Sequence, residues 1–135
     1  MRSLNIFFAI VAGFLFFSCD KEEISGNFDF GVEKSFKIDE TYQSKGHSLK
    51  FMLTEINDSR CPMDVDCNWA GMVQVKITID KPVSGTIILN SYNNPTDTLA
   101  NYSFELMNVL PYPISTQTTE LEDYDVKLKV KKIES

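Results

Sequence analysis

The chain has 135 residues, a length that fits one domain. It carries 13 basic and 19 acidic residues, for a formal net charge of −6. Nucleic-acid binding depends on Lys and Arg neutralising phosphates and releasing counterions, and an acidic chain gains nothing from that effect. The composition therefore argues against nucleic acid as a partner.

Residues 1–18 have the composition of an export signal. A single early positive charge, Arg2, precedes an apolar run from Ile6 to Phe17. This run is too short for a comfortable membrane span, so it predicts a cleaved signal peptide. It ends in Phe16-Phe17-Ser18-Cys19, which resembles a bacterial lipobox. The resemblance implies cleavage before Cys19 and acylation of its sulfur, for example with palmitate, and of its new amino group; the alternative is an uncleaved N-terminal anchor.

Lipidation at Cys19 also accounts for the cysteine count. Three cysteines would leave one unpaired in an oxidising compartment. With Cys19 acylated, Cys61 and Cys67 remain as an even pair, for which we predict a disulfide. Without Arg2 the mature chain has 12 basic and 19 acidic residues, a net charge of −7. Anionic lipids would repel it, so the acyl chains on Cys19 are its predicted membrane attachment.

Residues 19–33 are predicted to form the lipidated cysteine and an acidic tether. The sequence Asp20-Lys21-Glu22-Glu23 is typical of a solvated linker. It also resembles the lysine-plus-acidic surface-export signal that follows the lipid cysteine in lipoproteins of the Bacteroidota. That resemblance implies a lipid-anchored protein displayed on the cell surface from the outer membrane, with the periplasm as the alternative location.

Residues 34–135 show apolar and polar side chains alternating with a period of two, which is typical of β-strands with one buried face. Ile56 falls on the opposite parity to Leu53, which predicts a β-bulge or strand end near Glu55. Turn-rich segments separate the strands, so we predict a single antiparallel β-sandwich, or a small barrel, of six or seven strands. The predicted strands contain, in chain order, Phe36 and Ile38, Leu49–Leu53, Val73–Ile79, Thr86–Leu89, Tyr102–Leu106 and Tyr124–Val130.

The segment Asp58 to Gly71, DSRCPMDVDCNWAG, holds the predicted disulfide and the only tryptophan. Closing a loop as small as that between Cys61 and Cys67 stabilises a fold by roughly 2–3 kcal/mol. Gly71 lets the backbone turn into the next strand. Trp69 is expected to lie over the disulfide or to cap the end of the core. We interpret the segment as a structural clasp that also offers a recognition surface.

Other chemistries are less well supported in this segment. A thioredoxin-like site has two residues between its cysteines, and here there are five. A structural zinc site needs about four sulfur or nitrogen ligands, and the only histidine, His47, is distant in sequence. Asp64, Asp66 and Asn68 match the opening of an EF-hand calcium loop, but Trp69 stands where that loop needs glycine. Calcium stays open as an alternative, while no metal site or cofactor is predicted.

The string from Asp58 to Gly71 resembles the D-S-R-C-P…C-x-W-A-G signature of an uncharacterised family of small exported lipoproteins of the Bacteroidota type. A looser pattern, Leu106…Pro111-Tyr112-Pro113…Tyr124…Val130, is similar to the same family. The resemblance thus covers about residues 35–132. It implies a β-rich domain and brings no established activity, so no catalytic residue carries over.

Catalytic chemistry has few candidates in this chain. A Ser–His–Asp arrangement would have to be built around His47, which we predict to be exposed in a turn. Acidic residues are plentiful, so a carboxylate pair for glycoside chemistry stays open. We predict no catalytic residue, and we keep a small carbohydrate- or peptide-active enzyme as the alternative.

Three loops, residues 58–71, 90–97 and 110–123, are the predicted surface for an unidentified protein or glycan ligand. Aromatic rings that flank a sandwich more often cap its core, whereas exposed ones stack on sugars or contact proteins. The sequence therefore predicts an acylated envelope lipoprotein that serves as a non-catalytic binding or accessory module. The residues that we assign to its surface are Asp58, Arg60, Asp64, Asp66, Trp69, Tyr92 and Tyr112.

One further motif lies beside these loops. Asp97-Thr98-Leu99 resembles the D-[S/T]-apolar site at which exported Bacteroidota proteins carry O-linked glycans. The resemblance implies that Thr98 is glycosylated.

Overall fold

A computed structural model describes residues 21 and 23–134 of the chain. The predicted signal peptide and Cys19 lie outside the described residues. Within them, secondary structure consists of nine strands and one turn of 3-10 helix, Leu121–Asp123. The strands are β1 Ile24–Phe28, β2 Glu33–Phe36, β3 Thr41–Ser44, β4 Lys50–Asp58, β5 Val73–Lys81, β6 Gly85–Asn90, β7 Thr96–Leu99, β8 Tyr102–Leu110 and β9 Asp125–Lys132.

The strands form two sheets around one core. The first sheet has the order β1-β3-β4-β5-β6 and the second the order β2-β9-β8-β7. All strand pairs are antiparallel except β1 with β3, which run parallel. The predicted β-sandwich is therefore confirmed, as two separate sheets rather than a small barrel. Its nine strands exceed the six or seven that the sequence pattern predicts.

The core follows the alternation seen in the sequence. On β5 the four alternate residues from Val73 to Ile79 are buried, while Thr78 between them is exposed. Aromatic rings join the two sheets, since the ring of Phe51 lies 5.3 Å from that of Phe104 in an edge-to-face arrangement. Such ring pairs add stability beyond the area that they bury.

The predicted bulge on β4 is confirmed. Leu53 pairs with Ile77 and Glu55 pairs with Lys76, so Thr54 is an extra residue in the ladder. Because the bulge changes the parity of the strand, Leu53 and Ile56 both point into the core.

The first strand corrects the predicted domain boundary. β1 lies inside the segment predicted as a tether, pairs with β3, and buries Phe28 in the core. Its sequence, ISGNF, buries only this one large side chain, so no alternation marks it as a strand. The sandwich therefore begins at Ile24 rather than at residue 34, and only residues 20–23 separate it from Cys19.

The connections divide between the two ends of the sandwich. Segments 37–40, 59–72, 91–95 and 111–124 lie at one end, which we call the loop end. The opposite end holds tight turns, among them the β3–β4 turn in which His47 is exposed with a φ of 63°.

In the part of the chain that the structure describes, no helix is long and apolar enough to cross a membrane.

Candidate recognition surface at the loop end

The three loops predicted as a recognition surface come together at the loop end. The backbone N–H of Met63 donates to the carbonyl of Pro113 at 3.0 Å, which joins the first loop to the third. The N–H of Ser91 donates to the carbonyl of Val73 at 3.0 Å, which joins the second loop to the start of β5, directly after the first loop. Sequence-distant loops therefore form one continuous surface.

The first loop is closed by the predicted disulfide. Cys61 and Cys67 are bonded with their Cα atoms 5.9 Å apart, which confirms the pairing. Gly71 has a φ of 65°, and a Cβ added there would lie 1.9 Å from the carbonyl oxygen of Ser59. Only glycine therefore allows the two arms of the loop to pass this closely.

Trp69 and Tyr92 project from this surface. They are 66% and 75% exposed, so the expectation that Trp69 caps the end of the core is wrong, while the alternative that it lies over the disulfide stays a prediction. Arg60 and Tyr124 are buried at this end of the core instead. The two exposed rings line one shallow, mainly apolar depression of about 340 Å³, together with Ala70, Gly71 and Met72.

Asn90 holds the turn that carries Tyr92. Its side-chain Oδ1 accepts hydrogen bonds from the backbone N–H groups of Tyr92, Asn93 and Asn94, at 3.1, 2.8 and 3.2 Å. Three donors on one amide oxygen fix the backbone of the turn. Sequence reasoning missed this residue, although an asparagine that ends a strand and precedes a turn is the signal for such a cap.

Asp58 and Arg60 lie beneath the surface as a buried ion pair, so their assignment to the binding surface is wrong. Their side chains are 7% and 5% exposed. Arg60 also donates from Nη1 to the carbonyl of Val109 at 2.8 Å and from Nη2 to that of Pro111 at 3.1 Å. Both charges therefore make contacts inside the protein, and the hydrogen bonds of Arg60 connect the first loop to the third.

Asp58 is held ionised by its neighbours. Burial is the largest influence and would raise its pKa, but the hydrogen bonds and charge of Arg60 outweigh burial. The hydroxyl of Tyr124 adds a hydrogen bond to Oδ2 at 3.1 Å. Together these donors lower the pKa of Asp58 below its ordinary value, so this carboxylate acts as a structural acceptor.

Tyr112 has one face on the ion pair and the other toward solvent. Its ring centroid lies 4.2 Å from Cζ of Arg60, a cation–π contact that covers the guanidinium. The residue remains 44% exposed. Tyr112 therefore contacts the buried ion pair and also contributes to the surface above it.

Asp64 joins the first loop to the third, and Asp66 is exposed. Oδ2 of Asp64 accepts from the Ser115 hydroxyl at 2.5 Å, and Oδ1 from the Ser115 N–H at 2.9 Å. These two hydrogen bonds, the hydroxyl one first, lower the pKa of Asp64. Among the described residues, no group of three or more His, Cys, Asp or Glu side chains is placed to hold a metal ion.

A second depression lies where the third loop meets the β2–β3 connection. It is open, encloses about 470 Å³, and is lined by Ile38, Asp39, Glu120, Leu121 and Glu122. Carboxylates on one concave surface are what the enzymatic alternative requires.

Thr98 lies on β7, an edge strand of the second sheet. Its side chain is exposed, and its N–H donates to Oδ1 of Asp97 at 2.7 Å. This exposure leaves Thr98 accessible to a modifying enzyme. Glycosylation of Thr98 stays a prediction.

No protein-family model, no curated protein and no solved structure matches this chain. The resemblance to exported lipoproteins of the Bacteroidota type therefore stays a prediction, carried by the motif around Cys61 and Cys67.

Proposed function

We propose that the chain is a membrane-anchored envelope lipoprotein whose sandwich is a non-catalytic binding or accessory module, with the loop end as its contact surface. The observation that carries this proposal is the outward display of Trp69 and Tyr92 around one depression. Large aromatic residues supply a disproportionate share of the energy at recognition surfaces. Two of them in one exposed patch are therefore the strongest candidate anchors on the described surface.

The backbone that carries these rings is braced before any ligand is present. The disulfide and Gly71 restrain the loop of Trp69, and Asn90 fixes the turn of Tyr92. A prearranged surface loses less conformational entropy on binding, which favours affinity. The depression is shallow, so it suits a contact with an extended surface better than the enclosure of a small molecule.

Export and anchoring rest on the N-terminal sequence and on the disulfide. Disulfides persist in oxidising compartments, so the Cys61–Cys67 bond supports export from the cytoplasm. The lipobox resemblance at Cys19 supports an acyl anchor in the outer membrane, and the charged residues 20–23 favour the cell surface over the periplasm. Mass spectrometry of the protein from host membranes should find an N-terminus at acylated Cys19, whereas an intact residue 1 would contradict the anchor.

The contact surface is tested by photocrosslinking in the native host. A photoreactive phenylalanine analogue replaces Trp69 in one variant and Lys45, exposed at the opposite end, in the matched control. We expect position 69 to give a defined adduct and position 45 to give none. Equal labelling from both positions would contradict a contact surface at the loop end.

A second candidate, a small carbohydrate- or peptide-active enzyme, is favoured by the depression that Asp39, Glu120 and Glu122 line. A hydrolase of this kind would take its general acid and its second carboxylate from these three residues. The double substitution Glu120→Gln/Glu122→Gln would then abolish hydrolysis of glycan or peptide substrates. The binding module predicts a different result. When the same two substitutions are added to the variant with the photoreactive analogue at position 69, the adduct should be kept.

A further inference from the structure

We propose that the loop end lies against the membrane that holds Cys19, with Trp69 and Tyr92 in the headgroup region of zwitterionic lipids. This inference rests on the proposed function for the acyl anchor. It names the partner of the surface around Trp69 as the bilayer itself.

The start of β1 sets how far the domain can stand from its anchor. Five residue steps separate Cys19 from Ile24, and an extended chain spans at most about 3.6 Å per residue, so the two Cα atoms lie within about 18 Å. A folded domain of this size has a radius of gyration of about 13 Å, so it is at least about 26 Å wide. The tether is therefore shorter than the domain is wide, and it holds the region near Ile24 close to the bilayer.

The direction of β1 brings the loop end toward the membrane. Ile24 pairs with Thr41, where β3 enters from the loop end, and Phe28 pairs with Ser44, where β3 reaches the opposite end. The chain therefore enters β1 from the loop-end side. An anchor on the loop-end side therefore needs no reversal of the chain before β1.

The reach of the tether matches the height of the loop end. Strand pairing places Ile24 level with Thr78 of β5, through Thr41 and Met52. From Thr78 to Val73, at the end of the sheet, five residues rise roughly 17 Å. A tether of at most about 18 Å is therefore long enough for the anchor to reach the level of the sheet end at Val73, where the loops begin.

Exposed aromatic rings are confined to this end of the sandwich. Within the described residues Trp69, Tyr92 and Tyr112 are the exposed aromatic side chains, and all three belong to the loop end. Met63 and Val65, also exposed, add apolar surface from the disulfide-closed loop. Trp and Tyr combine an apolar body with a polar tip, and they concentrate at membrane–water interfaces for that reason.

The charges at the loop end decide which lipids fit. Asp39, Asp66 and Glu120 are carboxylates at this end, and anionic lipids would repel them. The residues that line the depression around Trp69 are uncharged. Zwitterionic lipids place ammonium groups within reach of the carboxylates and offer no net negative surface, so they are the partner that this surface fits.

Trp69 is the only tryptophan, so its fluorescence reports on this contact alone. The full acylated protein, purified from host membranes, is reconstituted into phosphatidylcholine vesicles with or without brominated acyl chains. We expect a blue-shifted emission, strong quenching by the brominated lipid and protection from aqueous acrylamide. Emission typical of water, with full access to acrylamide and no quenching by brominated lipid, would overturn the inference.

Two controls sharpen the result. In the variant Trp69→Phe/Val83→Trp the single tryptophan moves to an exposed turn at the opposite end, where brominated lipid should leave it unquenched. Replacing part of the phosphatidylcholine with phosphatidylglycerol should weaken the quenching of Trp69 at low salt, and added salt should restore it. Equal quenching at positions 69 and 83, or stronger quenching with the anionic lipid, would contradict the proposed orientation.

Mass spectrometry of the same preparation separates the two ways of failing. An N-terminus without acyl chains would contradict the anchor, and the proposed function with it. Acylated Cys19 together with a water-exposed Trp69 would overturn only the membrane contact, and would leave the surface free for a ligand in solution.

Discussion

The guanidinium of Arg60 donates two hydrogen bonds to the carboxylate of Asp58, from Nε to Oδ1 at 2.8 Å and from Nη2 to Oδ2 at 2.7 Å. This bidentate geometry uses the planar fork of the guanidinium, which lysine cannot reproduce. The remaining donors reach the carbonyls of Val109 and Pro111, about fifty residues along the chain. One side chain therefore sets how the first and third loops lie relative to each other.

Removing Arg60 should destabilise the fold strongly. Arg60→Ala leaves the Asp58 carboxylate buried without its counterion, so we expect a loss of about 3–5 kcal/mol in the free energy of unfolding. Urea denaturation followed by circular dichroism measures this loss. Lys45→Ala is the matched control, because it breaks an ion pair with Asp29 that is open to solvent and should change stability little. Similar midpoints for the two variants would contradict a structural role for the buried pair.

The same pair predicts how stability depends on pH. The pKa of Asp58 is lower in the folded chain than in the unfolded one. The unfolded state therefore binds the proton more tightly, and acid favours unfolding. The contribution of Asp58 is fully present at neutral pH and is lost as pH falls below roughly 4, through the folded pKa.

The variant Asp58→Asn isolates this contribution. It should be less stable than the parent chain at pH 7. The difference in the free energy of unfolding should shrink as the pH is lowered, because protonation of Asp58 removes from the parent a stabilisation that the variant lacks. Denaturant titrations at a series of pH values measure the difference. A difference that stays constant down to the acid limit would show that Asp58 does not titrate with folding.

Gly71 and Gly46 give a matched pair for testing the crossing of the loop arms. Both have positive φ, so alanine at either position incurs about 1–2 kcal/mol for a left-handed backbone. At Gly46 nothing lies within 4 Å of an added Cβ, whereas at Gly71 the Cβ would meet the carbonyl of Ser59 at 1.9 Å. Gly71→Ala should therefore lower the thermal midpoint clearly more than Gly46→Ala. Equal midpoints would show that the two arms of the loop can move apart to accommodate the Cβ at position 71 without a loss of stability.

Much of the fold could be predicted from the chain, and the exceptions have a common cause. Strands with alternating apolar residues, such as Val73–Lys81, were found because one face is buried and the other faces solvent. β1, β3 and β7 were missed because they are short and have little or no apolar alternation. In β3, Tyr42, Gln43 and Ser44 are buried in succession, so no period of two appears.

The candidate site was only partly predictable for a different reason. The pairing of Cys61 with Cys67 and the turn at Gly71 are local, and the sequence indicates both. The direction of a side chain depends on which distant loop lies above it. Arg60 points inward because the carbonyls of Val109 and Pro111 come to lie within its reach, and no pattern around residue 60 contains that information.

Breaking the disulfide should weaken the clasp without abolishing the fold. In the double variant Cys61→Ala/Cys67→Ala the unfolded chain regains the freedom of a small loop, and we expect a loss of about 2–3 kcal/mol. Chemical denaturation of the variant, and of the parent chain with a reductant, should give the same loss. A reductant that lowers the stability of the double variant as well would show that the effect does not come from this bond.

Thr98 and Thr96 allow the glycosylation motif to be tested within one strand. Both side chains are exposed on β7, so access to a modifying enzyme is the same, and only Thr98 follows an aspartate and precedes an apolar residue. Mass spectrometry of the protein from its native host should show a glycan on the peptide that contains Thr98. Thr98→Ala and Asp97→Ala should each remove the glycan, because the first removes the acceptor hydroxyl and the second the acidic residue of the motif, while Thr96→Ala should keep it. A glycan that persists in Thr98→Ala would show that a residue other than Thr98 is the acceptor, and would contradict the motif.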